Sequence, residues 1–222
     1  MIGLIVMAVL AAVIGALVAL GLGLGWAAGT LIWLGAATAA LGLYRWVIRP
    51  WHLRWGATDQ EVVRPMPGDE ILPTASSATR AIAIRAPVES VWPWLVQIGF
   101  GRAGWYSYDW IDNDFKPSAD RILPEHQALA PGDTILMAPD MGLEVVSVRE
   151  PESIVSILGD GSTSWSLALY PDGDSCRLVS RWRPRSPQNT AERVLRVLVE
   201  PGTFIMEQKM LRTIRSRAET TP

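Results

Sequence analysis

Thr163-Ser164-Trp165-Ser166-Leu167-Ala168-Leu169-Tyr170 and, beyond Asp172-Gly173, Cys176-Arg177-Leu178-Val179-Ser180-Arg181-Trp182-Arg183 decide the fold class. In the first run Trp165, Leu167 and Leu169 share one face, while Ser164 and Ser166 occupy the other. In the second, Leu178, Ser180 and Trp182 alternate with Arg177, Arg181 and Arg183. Successive side chains of a strand point to opposite faces, so both runs predict antiparallel strands, packed on one face and wet on the other. Asp172-Gly173 predicts the hairpin turn between them.

Working outward, further strand-like runs cover 79–85, 134–138, 143–148 and 153–158, punctuated by Gly, Pro and Asp. After the first of these, Val91, Trp94, Leu95 and Ile98 follow at i, i+3, i+4, i+7, the stripe of a helix buried on one side. Pro87 suits its first turn, Glu89 its positive end, and Pro93 predicts a kink. A second short helix is expected over 106–113. The chain closes with a helical pattern over 203–218 carrying Phe204, Met206, Met210, Leu211 and Ile214. Strand, helices, a series of antiparallel strands and a long last helix make an α+β layout, one curved sheet with helices on one side. Residues 56–78 are rich in Pro, Gly and Ser and read as a linker, because Pro65, Pro67, Gly68 and Pro73 forbid a long helix or a central strand.

Upstream of that linker the composition changes abruptly. Residues 1–44 carry no charged side chain, so all 20 basic and 22 acidic residues fall in the rest of the 222. One membrane helix needs about 20 apolar residues, and the run from Ile2 to Leu43 has room for two. The glycines at 21, 23 and 25 predict a turn, which leaves spans over 2–20 and 26–44 and a transmembrane hairpin. Ala11, Gly15 and Ala19, with Gly35 and Ala39, form small-residue stripes through which two such helices approach closely. Arg45, Arg49 and Arg54 interleave with Trp46, Trp51 and Trp55, an interfacial belt that places this end in the cytoplasm, at a cell inner membrane. A cleaved signal peptide would begin with basic residues and be shorter. The expected organisation is therefore hairpin and belt over 1–55, linker over 56–78 and a folded domain over 79–218.

Three stretches carry a family resemblance. They are the run from Ala86-Pro87-Val88-Glu89-Ser90-Val91-Trp92-Pro93-Trp94 to Gly99, the run Gly104-Trp105-Tyr106-Ser107-Tyr108-Asp109-Trp110, and the ending Phe204-Ile205-Met206-Glu207-Gln208-Lys209-Met210-Leu211. Over about residues 79–217 the chain resembles START-like helix-grip proteins of the SRPBCC superfamily, polyketide cyclase-like members with a membrane-anchored amino terminus among them. The resemblance implies a sheet gripping a long carboxy-terminal helix, with an apolar cavity between them. It implies no single activity, since a fold hosts many functions.

Other chemistries are poorly provided for. Cys176 is the only cysteine and His52 and His126 the only histidines, too few and too scattered for a zinc site, and no cofactor or metal is expected. Gly99-Phe100-Gly101-Arg102-Ala103-Gly104 spells G-x-G-x-x-G, but it follows a helix in an antiparallel layout, where a dinucleotide fingerprint must follow a strand. It reads as a turn. The groups left for proton chemistry are Tyr106, Tyr108, Asp109, Asp112, Arg121, Glu125 and His126, and nothing in their spacing marks a nucleophile and its base, so no catalytic residue is assigned. On a helix, Trp105 with Asp109 and Tyr108 with Asp112 would share a face. Residues 56–180 hold a net charge of −10, residues 181–217 a net of +6. That distribution argues against nucleic acid and suits a basic end resting on an anionic leaflet.

The leading expectation is a membrane-tethered module that binds a hydrophobic small molecule or lipid. Trp165, Leu167, Leu178, Trp182, Phe204 and Met210 should line one apolar space, with Tyr106, Tyr108, Asp109 and Arg121 near its mouth. The alternatives are an enzyme of the polyketide cyclase or aromatase type, and an adaptor whose domain binds a protein partner and whose interior is merely core.

Overall fold

The alternating runs pair as their period demands. In a computed structural model, which describes residues 14, 15, 17, 18, 21–23, 25–73 and 76–220, the chain separates into two units, Met1–Trp51 and His52–Pro222.

In the first unit, α1 spans Trp26–Leu43, a π-helical turn spans Tyr44–Ile48, and α2 begins at Arg49 and ends at Leu53 in the second unit. Leu31, Leu34 and Leu41 are exposed, so α1 carries apolar side chains on its surface. Ala27–Leu53 is long and apolar enough to cross a membrane, the one such helix among the described residues. Of the expected hairpin, the described residues show one span; the other, over 2–20, lies almost wholly outside them. The glycine turn shrinks. Residues 21–23 are helical, and Gly25 alone takes a positive φ (81°), since glycine permits an exit from a helix without forcing one.

In the second unit six strands form one antiparallel sheet: β1 Ala78–Ile84, β2 Thr134–Ala138, β3 Met141–Arg149, β4 Ser153–Leu158, β5 Thr163–Asp172 and β6 Ser175–Pro184. Their order across the sheet is β1-β6-β5-β4-β3-β2. The hairpin between β5 and β6 closes beyond the Asp172–Ser175 pair, with Gly173 at φ 61°. Between β1 and β2 lie α3's successors in the chain; α3 itself is a short helix, Asp59–Val63, capped by Thr58 and Glu61 acting reciprocally. Those successors are α4, Val88–Val96, and the single turn α5, Asp109–Asp112. The last helix, α6, spans Thr190–Thr220 and packs on β1 and α4. A curved antiparallel sheet closed over one long carboxy-terminal helix is a helix-grip arrangement.

The inner face of the sheet carries the main core. Ile82 and Ile84 from β1, Trp165, Leu167 and Leu169 from β5, and Cys176 and Leu178 from β6 meet Val91, Trp94 and Leu95 of α4 and Met210, Leu211 and Ile214 of α6. That division of faces follows the period-two reading. The outer face does not. Ser164 and Ser166, expected in water, are buried, because the supposed linker lies over them: Met66 packs on Ala81, Ala168 and Val179. A Cβ on Gly68 would stand 2.6 Å from both Ser166 Oγ and a methyl of Val155, so the strap touches the sheet there.

The arginines of β6 hold the strap down. Arg181, only 2% exposed, donates from Nε to Thr79 Oγ1 (3.0 Å), from Nη1 to Arg64 O (3.0 Å) and Asp69 Oδ2 (2.6 Å), and from Nη2 to Glu61 O (2.6 Å) and Val62 O (3.1 Å). Arg177 forks onto both carboxylate oxygens of Glu61 at 2.8 Å, and Arg183 donates to Leu72 O and Pro73 O. A stretch rich in proline and glycine leaves its carbonyls unpaired by secondary structure, and guanidinium groups supply the missing donors. Residues 57–73 therefore belong to the domain.

Arg181→Ala should cost about 3–5 kcal/mol, since it strands Asp69 and three strap carbonyls. The check is urea denaturation alongside hydrogen exchange: amides of 59–71 should lose protection first. Unchanged protection in that stretch would show the strap to be held by other contacts.

Candidate functional site

Two polar clusters interrupt the otherwise apolar grip. The first gathers where the loops between α4 and β2 meet the carboxy-terminal end of α6. Gly99, Gly101 and Gly104 all have positive φ, and Gly99 and Gly104 exchange N–H···O bonds of 3.1 Å, so the G-x-G-x-x-G run is a tight turn after α4, as its context required. A Cβ at Gly104 would fall 2.3 Å from Ser118 Oγ; the glycine lets the two loops touch.

This contact seats Tyr106, which is itself at φ 56° and 2% exposed. Its N–H donates to Ser118 Oγ (3.0 Å), and Ser118 Oγ donates in turn to Asp109 Oδ1. The phenol oxygen accepts from Gln97 Nε2 at 2.8 Å. Gln97 also donates to Arg121 O, while its Oε1 accepts from Leu123 N and Gln127 Nε2, so one fully buried amide ties three loop residues to α4. The Arg217 guanidinium from α6 lies 4.6 Å from the Tyr106 ring centroid and 5.6 Å from that of Trp94, a cation–π sandwich edge, and donates to Ser118 O. Burial pushes the Tyr106 phenol well above its ordinary pKa, so it stays protonated and acts as a hydrogen-bonding group, not a base.

The expected mouth residues do not all converge. Tyr106 and Asp109 are joined through Ser118. Arg121 contributes its carbonyl, and its exposed side chain lines a surface pocket of about 280 Å³ with Pro117, Asp120 and Leu123. Tyr108 caps α5 and is half-buried; His126 offers its carbonyl to Arg102. Since α5 is one turn long, Trp105 lies outside it, and the helical pairing of Trp105 with Asp109 does not occur. Trp105 instead donates from Nε1 to Leu136 O.

The second cluster lies inside the grip, at the start of β1. Arg80 and Glu207 of α6 form an ion pair with both side chains under 7% exposed. Arg80 Nε donates to His52 O (2.9 Å), and its guanidinium lies 5.3 Å from the Phe204 ring, on which the His52 ring stacks. Sequence reading overlooked this pair. The signal was present: Glu207 falls on the same helical face as Met210, Leu211 and Ile214, as does Arg217, and charged residues on a buried stripe mark partners inside.

The six residues expected to line one apolar space separate into two groups. Trp165, Leu167, Leu178 and Met210 belong to the main core, with half-buried Trp182 packed against it; Phe204 instead meets His52 and Trp55 beside Arg80. Within the first group runs a ladder of rings. Trp182 stacks on Trp165 at 5.0 Å and 17°, and Trp165 meets Trp105 at 5.7 Å. Trp165 Nε1 is satisfied by Ser180 Oγ at 2.9 Å.

No family model matches the sequence, and no curated protein matches it. Among solved structures the fold resembles the polyketide cyclase-like protein Cgl2372 of Corynebacterium glutamicum, at 15% identity over 65% of this chain and 91% of that one, with a TM-score of 0.40. It also resembles CalU16 of Micromonospora echinospora (18% identity, 65% and 85% covered, TM-score 0.35). A third likeness is to CV1439 of Chromobacterium violaceum (15% identity, 66% and 99% covered, TM-score 0.41). The helix-grip assignment rests on the strand order and the position of α6.

One acid is set apart by its environment. Both carboxylate oxygens of Asp112 are shut away from solvent; burial first, and then the charge of Asp109, push its pKa up to about 6 against the pull of Ser107. A carboxyl whose folded pKa lies above its unfolded value binds more protons when folded, so stability should fall as pH rises from about 4 to about 6 and level off above. Asp112→Asn should flatten that slope in urea midpoints taken across the window. A slope unchanged in the variant would place its origin elsewhere.

Proposed function

We propose that the chain is a membrane-tethered helix-grip module that holds a hydrophobic small molecule or lipid between its sheet and α6. The observation that carries this reading is the half-buried Trp182 stacked on the buried Trp165. It leaves the outermost ring of an aromatic stack partly open to solvent, a face on which an apolar ligand can stack. The Arg80–Glu207 pair and the Tyr106–Gln97 bond offer fixed polar groups at separate places, which orient a ligand without reacting with it. The tether is α1 with the arginine and tryptophan belt after it, and the belt favours a cytoplasmic domain.

One observation favours a second reading. The ring ladder packs in the main core, as it would in a protein-binding adaptor whose interior is only core. A cyclase gains less support, because Tyr106 and Asp109 are both engaged in hydrogen bonds that hold loops together.

Native mass spectrometry of the full chain released from detergent micelles separates the two. A retained apolar mass is expected, and Trp165→Ala should lower its occupancy about tenfold, the loss of one aromatic contact with its buried area. A bare chain mass that added fatty acid or sterol leaves unchanged favours the adaptor.

A further inference from the structure

Helix α6 carries its apolar residues on two different sides. From Phe204 onward, Phe204, Met210, Leu211, Ile214 and Ala218 face inward and are buried. Before Phe204, Ala191, Val194, Leu195, Leu198 and Val199 recur at i, i+3, i+4, i+7, i+8, one continuous stripe. All five are exposed, the four larger ones between 50% and 71%, and Ile205 extends the stripe by a further turn at 48%. At 100° per residue this stripe lies nearly opposite the buried one. The side of these first turns that meets the domain is polar: Arg196 donates to Arg185 O and Ser76 Oγ, and Glu192 receives Asn189 and Arg185. A helix with charged groups turned toward its own domain and aliphatic groups turned away has its apolar face prepared for something else.

The charges around the stripe identify the occupant. Exposed Lys209 and Arg212 continue its face beyond Ile205, whereas Arg193 lies on the other side of the helix. Residues 181–217 hold nine bases against three acids, whereas the body of the domain is acidic. An aliphatic stripe whose face continues into basic side chains matches an interfacial helix, whose apolar face enters the acyl boundary while its cations meet lipid phosphates. We infer that the first three to four turns of α6 lie in the surface of an anionic bilayer, so that the chain meets the membrane a second time through the helix its sheet grips. This rests on the tether in the reading above, and not on ligand binding.

The test uses the full chain in lipid nanodiscs, either of phosphatidylcholine alone or with about one third phosphatidylglycerol. Single cysteines at Leu198, Val47 and Asp174, each in a Cys176→Ala background, carry an environment-sensitive fluorophore, and nitroxide-labelled lipid serves as quencher. Leu198→Cys should be blue-shifted and quenched about twofold or more in the anionic discs and less in the neutral ones, while Asp174→Cys on the β5–β6 turn stays unquenched. Lys209→Glu with Arg212→Glu should remove about half of the Leu198 signal or more. Quenching at position 47 without quenching at 198 overturns the docking and leaves the tether standing; quenching at neither overturns both. Energy transfer between labelled copies at 198 without lipid quenching would assign the stripe to a second copy of the chain and overturn the proposal.

Discussion

The five donors of Arg181 organise the domain around a guanidinium set in the outer face of the sheet. A buried charge without partners costs several kcal/mol, so the fold exists in this form only while the strap supplies Asp69 and the carbonyls of Glu61, Val62 and Arg64. The dependence is mutual. Residues 57–73 have little secondary structure of their own beyond α3, and their backbone acceptors would be unsatisfied against the sheet without Arg177, Arg181 and Arg183. Covering the outer face leaves the inner face to close on α6. The strap starts just after Trp55 and His52, both of which pack on Phe204, so the same stretch that seals the outside also reaches the end of the grip.

Several polar groups inside the grip have partners there. Trp165 finds Ser180, Tyr106 finds Gln97, and Arg80 finds Glu207 and His52 O. Two of these are tied to α6, Arg80 through Glu207 and Tyr106 through Arg217.

The strands were legible because one face of each is buried against an apolar core, which forces period two; 134–138 and 153–158 agree with the structure at both ends, and the β5–β6 hairpin declares itself through Asp172-Gly173. The strap was illegible for a complementary reason. Its hold on the sheet runs through main-chain carbonyls, which every residue has, and composition alone makes Pro65, Gly68 and Pro73 resemble a linker. The only sequence trace of it was Arg177, Arg181 and Arg183 on one face of β6, read as a wet face because arginine usually is wet. In the candidate site Tyr106 and Asp109 stood out by type, but their partners Gln97 and Ser118 are ordinary residues whose importance comes from loops brought together by the glycine turn. The expected shared helix face of Trp105 and Asp109 failed because α5 is one turn long and begins after Trp105.

The start of α6 was misplaced by thirteen residues, and the reason bears on what the helix does. A helical reading seeks one apolar stripe in constant phase. Residues 204–218 supply one, and it breaks on passing back through Gly202 and Pro201 because the stripe over 191–199 faces the other way. Proline within a helix removes a hydrogen bond and glycine lowers helix propensity, so both residues weaken the joint where the phase changes. If the first turns served only to extend the grip, selection of Val194, Leu195, Leu198 and Val199 for the solvent side would expose aliphatic surface for no gain in packing. A helix that must satisfy two apolar surroundings at once, its own sheet over one half and a second surface over the other, requires the phase reversal that the sequence contains.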